Sequence, residues 1–150
     1  MLIDNPLNSS PLTFPVLECI HILGFSLSIG TIGLVDFRLL GLGMKRESPS
    51  QLDQDTSLYT VAGLVVMLFS GLMLFSSDPD NYYLNYAFDL KMLFFVLAVL
   101  FHYTIHRKVV KSDSANGKVV ACISLALWSC VIFGGIFIGF LNSTLDIHRI

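Results

Sequence analysis

Apolar residues run almost unbroken through four stretches of this chain, 14–35, 58–75, 90–105 and 119–141, with polar residues gathered between them. A helix rises about 1.5 Å per residue, so about twenty residues cross a hydrocarbon core of about 30 Å. The pattern predicts an all-α, four-helix transmembrane bundle built as a single domain over residues 1–150. The third run is short. Asp89 and Lys91 at its start suit the headgroup layer, which Lys91 reaches by extending its ammonium toward water. Pro15 falls in the first turn of the first helix, where its missing N–H costs nothing. "SSDPDNYYLNY" reads as a turn-rich loop with interfacial tyrosines, and "KSDSANGK" as a polar hairpin between helices three and four. No internal repeat or linker is visible.

Composition agrees with this pattern. The chain is 54% hydrophobic and 13% charged, about half the charge of a soluble domain. Its basic residues form no folded patch with interleaved aromatics, which excludes nucleic acid as a partner. Cys19, Cys122 and Cys130 lie in apolar runs without metal-ligand spacing and read as small buried hydrophobes. Residues 1–13 carry no Lys or Arg and no A-x-A site follows, so the first run is expected to stay as a helix rather than be cleaved. Arg38, Lys45, Arg46, Arg107, Lys108, Lys111 and Lys118 fall at the first and third connections, whereas the second has Lys91 alone and the tail Arg149. By the positive-inside rule both termini and the 76–87 loop face outside, in a multi-pass protein of a bacterial inner membrane.

The charges inside the apolar runs form two layers. Glu18 and His21 are three residues apart on helix one, hence neighbours on one face. Lys91 on helix three lies at a similar depth, and Tyr82, Tyr83 or Asn85 can join from the loop. A Glu18–Lys91 contact would offset the cost of charge in a membrane, and Glu18 could hold one nitrogen of His21 and leave the other free. The inner layer is Asp36, Arg38, His102 and His106, the two histidines being four residues apart on helix three. Charged residues inside membranes mark functional sites often enough to make both layers candidates, though each also serves as a packing staple.

A Glu-x-x-His pair is half of a di-iron carboxylate site, but the second pair and the further carboxylates are missing. His21 and His102 are expected about 15 Å apart in depth, too far to share one haem iron. A haem on His21, the candidate metal ligand, would need another axial group, and Met67 and Met73 on helix two flank the right depth. The alternative is a quinone or other small molecule, with His21 and Lys91 donating to a carbonyl and Glu18 moving protons. Trp128, and Met67 and Met73 in the alternative, read as core fillers. Ser26 with Gly30, and Gly135 with Gly139, have the spacing that lets helix backbones approach, within the bundle or against a partner subunit.

"FPVLECIHILG", "DFRLLGLG", "AFDLKMLFF" and the Ser-Leu-x-x-Trp run of the last helix together resemble a family of small bacterial four-helix membrane proteins of unknown function. Glu18, His21, Gly24, Asp36, Arg38, Phe88, Lys91, Ser124 and Trp128 carry the match over essentially the whole chain. The family looks distantly similar to bundles of the copper-resistance membrane protein D and HemJ protoporphyrinogen oxidase type, which implies redox or metal chemistry near a first-helix histidine. One departure stands out: members with Gly-Arg in the last helix have an anion partner where this chain reads Gly135-Ile136. The expected function is redox-associated binding of b-type haem or quinone near Glu18, His21 and Lys91. The competing reading is a non-catalytic accessory subunit of a larger membrane complex, or a homo-oligomer. A transporter is disfavoured, because no Gly/Pro interruption or repeat marks a midplane site.

Overall fold

The computed structural model describes residues 10–43, 46–77, 79–83, 85–112 and 114–147, with side chains up to Phe140 apart from those of Asp80 and Asn81. Lys45, Arg149 and both chain ends, which carry part of the orientation argument, lie outside the described residues. The elements are α1 (Thr13–Leu39), α2 (Pro49–Ser77), the single turn α3 (Pro79–Tyr83), α4 (Tyr86–Phe101), a π-helical turn (His102–His106), α5 (Arg107–Ser112) and α6 (Gly117–Ile147). Four stretches are long and apolar enough to cross a membrane: Thr13–Leu39, Pro49–Ser77, Tyr86–Ser112 and Gly117–Phe140. The molecule is an all-α four-helix membrane-spanning bundle.

The helices outrun the apolar stretches because capping chemistry sets their ends. α1 stops where Gly41 takes φ +82°. There the Leu42 N–H donates to Phe37 O at 2.8 Å and the Gly41 N–H to Arg38 O at 3.0 Å, the paired bonds of a Schellman stop. α2 begins well before residue 58 because Ser48 and Pro49 start it: the Gln51 N–H donates to Ser48 Oγ at 3.2 Å, and proline suits the first helical position. α4 starts on Asn85, whose Oδ1 accepts from the Ala87 N–H at 2.9 Å. Part of the expected loop before it is helical, and Phe75, Tyr82 and Phe88 pack there with ring centroids 5.4–6.2 Å apart.

α1 packs along α2, α4 packs along α6, and α1 joins the two pairs through α6. Both faces of these helices are apolar, so hydrophobicity does not tell the inside from the lipid side; small and polar residues do. On α1 the buried stripe is Leu17, Gly24, Ser28, Thr31, Ile32, Val35 and Asp36. It meets α2 where a Cβ on Gly63 would lie 2.6 Å from Gly24 O and 2.7 Å from Ser28 N. Ser28 Oγ donates to Thr60 O at 3.2 Å, and the Thr31 and Thr60 hydroxyls pair at 2.8 Å. The small-residue contact is therefore Gly24–Ser28–Gly63. Ser26 and Gly30 turn away: Ser26 is exposed, and a Cβ on Gly30 would meet nothing. The same is true of Gly139, whereas Gly134 and Gly135 take Lys91 against them.

Ile32, Leu64, Met67, Ala98, Trp128 and Val131 form the central core, with Phe95 edge-on to Trp128. A second cluster, Val35, Leu52 and Val110, closes the end that carries Arg38, Arg46 and Arg107, called the basic end below. Cys19 and Cys122 are exposed rather than buried, on surfaces that face lipid in a spanning bundle.

Candidate functional site

At the end of the bundle away from the basic connections, His21 reaches across from α1 to α2. Its Nδ1 lies 2.9 Å from Met67 O and 3.1 Å from Ser70 Oγ. A carbonyl oxygen only accepts, so Nδ1 carries the hydrogen and Nε2 is left with a lone pair. Room for the ring comes from Gly71, where a Cβ would stand 3.0 Å from His21 Cε1. Ser70, fully buried, is held in place by its own bond to Val66 O at 2.7 Å. The ring is half-buried.

Lys91 reaches this region from α4, close enough for its charge to act on His21. The α4 and α6 backbones touch at this point: a Cβ on Gly134 would be 2.9 Å from Lys91 Cβ and 3.1 Å from its Cα. The ammonium runs on past Gly135, whose Cβ would lie 3.7 Å from Nζ. Two glycines of α6 thus make the space that Lys91 needs.

The expected Glu18–Lys91 contact is not formed. Glu18 is exposed near the start of α1, with no hydrogen bond or ion pair among the described residues. Glu18 lies about 60° around the helix from His21 and falls on the exposed side of α1, outside the buried stripe. Met67 meets His21 through its carbonyl, while its side chain is buried in the central core. Met73 is half-buried farther along α2.

The inner layer is tighter. Asp36 and His106 are both fully buried, with His106 Nε2 2.7 Å from Asp36 Oδ1. Ser124 Oγ of α6 donates to Asp36 Oδ2 at 2.7 Å, so three membrane-spanning segments meet on one carboxylate. His102 stacks on His106 with centroids 5.0 Å apart and planes 30° from parallel. Both sit in the π-helical turn, a form that recurs at functional sites. Among the described residues, the buried Nδ1 atoms of His102 and His106 have no hydrogen-bond partner. Arg107, next in the chain, lies with its Nε 3.4 Å from Asp53 Oδ2 of α2 and its guanidinium carbon 5.9 Å from the centre of the Tyr103 ring.

Arg38 does not belong to this layer. It sits two residues, about 200°, beyond Asp36, and its Nε donates to Glu47 O at 2.6 Å on the exposed side. The cation beside the buried cluster is Arg107 instead. The contributions of Ser70, Gly71, Gly134 and Asp53 were not read from the sequence. Ser70-Gly71, a small polar pair inside an apolar run, was the available signal; Ser124 had entered only through the family resemblance.

Among the described residues no three His, Cys, Asp or Glu side chains converge as a metal-ligand set. The two layers lie on opposite sides of the central core, fifteen residues apart along α1 from His21 to Asp36, or about 22 Å.

A family of unknown function, DUF6644, matches residues 12–141 of the chain. No curated protein and no solved structure matches it, and nothing in these findings ties it to the copper-resistance or HemJ-type bundles.

Proposed function

The chain belongs to DUF6644, whose function is unknown, and we propose that it is a redox-associated protein of a bacterial inner membrane that binds a quinone or a b-type haem beside His21 and Lys91. The supporting observation is the posture of His21. Its Nδ1–H is tied to Met67 O, which fixes the tautomer and leaves Nε2 bare. Ligating histidines are oriented in this way, with the non-ligating nitrogen donating to a carbonyl.

The residues present suit the quinone more fully. His21 Nε2 accepts from a hydroxyl, Lys91 donates to a carbonyl oxygen, and Gly71, Gly134 and Gly135 leave the ring and the ammonium room. A bound quinone would supply coupled electron and proton transfer there. For a haem, His21 offers one axial nitrogen, but the Met67 side chain is taken up by the core, and the chain has Ile136 where an arginine would meet a propionate. The basic end faces the cytoplasm in this reading, with both chain ends and the His21 region outside.

A second reading, an accessory subunit of a larger complex, draws on Glu18, exposed without a partner, and on the open α-helical faces at Gly30, Gly33 and Gly139. The experiment that separates the two is an absorbance spectrum of protein purified in mild detergent, before and after dithionite, with quinone analysis of the extracted lipid. We expect bound quinone, or a Soret band that shifts on reduction, and its loss by about tenfold or more in His21→Ala protein that still folds. That factor corresponds to about 1.4 kcal/mol. No chromophore, no co-purifying quinone and no binding of an added short-chain quinone would overturn the redox reading and leave the accessory subunit.

A further inference from the structure

The basic end of the bundle holds a feature that the His21 region does not use. Arg107, Lys108 and Lys111 of α5 line a surface cavity together with Tyr103. Its volume of about 180 Å³ is well beyond the about 10–15 Å³ that admits one water. Arg107 is held from two sides: its Nε lies 3.4 Å from Asp53 Oδ2, and its guanidinium carbon is 5.9 Å from the centre of the Tyr103 ring. The N–H groups of its two terminal nitrogens have no acceptor among the described residues. Lys108 and Lys111 are exposed and make no hydrogen bond or ion pair among those residues. Asp53 offsets one of the three cations, so the cavity keeps a positive charge.

We propose that this cavity binds a phosphate group, and that the phosphate belongs to an anionic phospholipid of the leaflet at the basic end. The donor set suits phosphate. A planar guanidinium fixed by a carboxylate and an aromatic ring presents its remaining N–H groups as a ready fork for two phosphate oxygens, and the lysines add point charges beside it. Depth suits a headgroup. The third crossing, Tyr86–Ser112, has 27 residues, about 40 Å of helix against a hydrocarbon core of about 30 Å. Its last six residues, Arg107–Ser112, therefore reach the headgroup layer, where basic pockets beside membrane helices take anionic lipids.

The surface beside the cavity favours a lipid over a free phosphate. Leu93, Val96, Leu100 and Tyr103 follow at spacings of three, four and three, which puts them on one side of the helix. All four are exposed, at 40–56% of their surface. This apolar stripe runs from the lipid-facing middle of the third crossing to the cavity, so an acyl chain has a track beneath its own headgroup. A free phosphate would use the cations and leave the stripe idle. The inference rests on the spanning bundle and does not depend on what His21 binds.

The test is native mass spectrometry of the full chain in an uncharged detergent, titrated in separate arms with dioctanoyl phosphatidylglycerol, dioctanoyl phosphatidylcholine and inorganic phosphate. The expected result is one phosphatidylglycerol per chain, bound about tenfold or more tighter than phosphatidylcholine, with no binding of inorganic phosphate over the same range. Lys108→Gln together with Lys111→Gln, both exposed and unbonded, should weaken phosphatidylglycerol by about tenfold or more, the scale expected of two cations at a membrane surface. Arg46→Gln together with Lys118→Gln removes the same charge from outside the cavity lining and should change the affinity by less than about twofold. Equal weakening by the two pairs would overturn the proposal, because the attraction would then be diffuse. Equal binding of phosphatidylcholine would overturn it as well. Inorganic phosphate that binds as tightly as phosphatidylglycerol, and is lost with Lys108 and Lys111, would overturn the lipid assignment and give the cavity to a soluble phosphate.

Discussion

Asp36 makes the residue-scale case. A carboxylate three residues from the end of an apolar helix reads equally well as an interfacial anchor or a buried hub, and the sequence does not choose. Rotation about the helix axis chooses: Asp36 points to His106 and Ser124, while Arg38 points out to Glu47. Truncating Asp36 to alanine strands a buried imidazole and a hydroxyl, so a loss of about 3–5 kcal/mol is expected. Ser124→Ala leaves Asp36 Oδ2 without its hydrogen bond and should cost about 1–3 kcal/mol. Unfolding in mixed micelles with increasing SDS ranks them; a smaller effect for Asp36→Ala than for Ser124→Ala would deny the carboxylate its central place. The histidines, Asp36 and Lys91 could be singled out in the sequence because polar residues are conspicuous in apolar runs. Their partners could not be, since a carbonyl such as that of Met67 leaves no mark on composition.

At the scale of elements, the four apolar runs were legible and the helix ends were less so. Apolar length marks where lipid is, whereas Ser48-Pro49, Asn85 and Gly41 mark where helices begin and stop. Those capping signals lay in the text but outside the apolar windows. Helix pairing was harder still, because several small residues offered the right spacing and only one register was used. That register gives a sharp contrast. A side chain at Gly63 would run into the Gly24 carbonyl and the Ser28 backbone nitrogen, neither of which can swing aside, so Gly63→Val should destabilise by about 1–3 kcal/mol or more. Gly30→Val, facing open space, should leave stability unchanged or slightly improved. Equal losses at both positions, measured by the same SDS titration, would mean that α1 and α2 meet by another face.

For the whole molecule, the asymmetry of Lys and Arg carries the orientation. The prediction is that, in a cysteine-free background, Tyr83→Cys reacts with a membrane-impermeant maleimide added to intact cells. Lys108→Cys should react only after the membrane is opened. Both positions are exposed, so access depends on which side they occupy. The reverse pattern would invert the bundle and put His21 on the cytoplasmic side.

The π-helical turn fixes how the two halves of the third crossing are phased. It works as a spliced-in residue, a reading-frame shift written in backbone geometry. Upstream of it, α4 keeps Lys91 against the glycines of α6; downstream, α5 keeps Arg107 on Asp53. A straight α-helix of the same sequence would be out of step by about 100°, so it could satisfy one of these contacts and forfeit the other. The chain therefore resembles a key with two bits cut at a set angle, and the angle is stored in five residues, His102–His106.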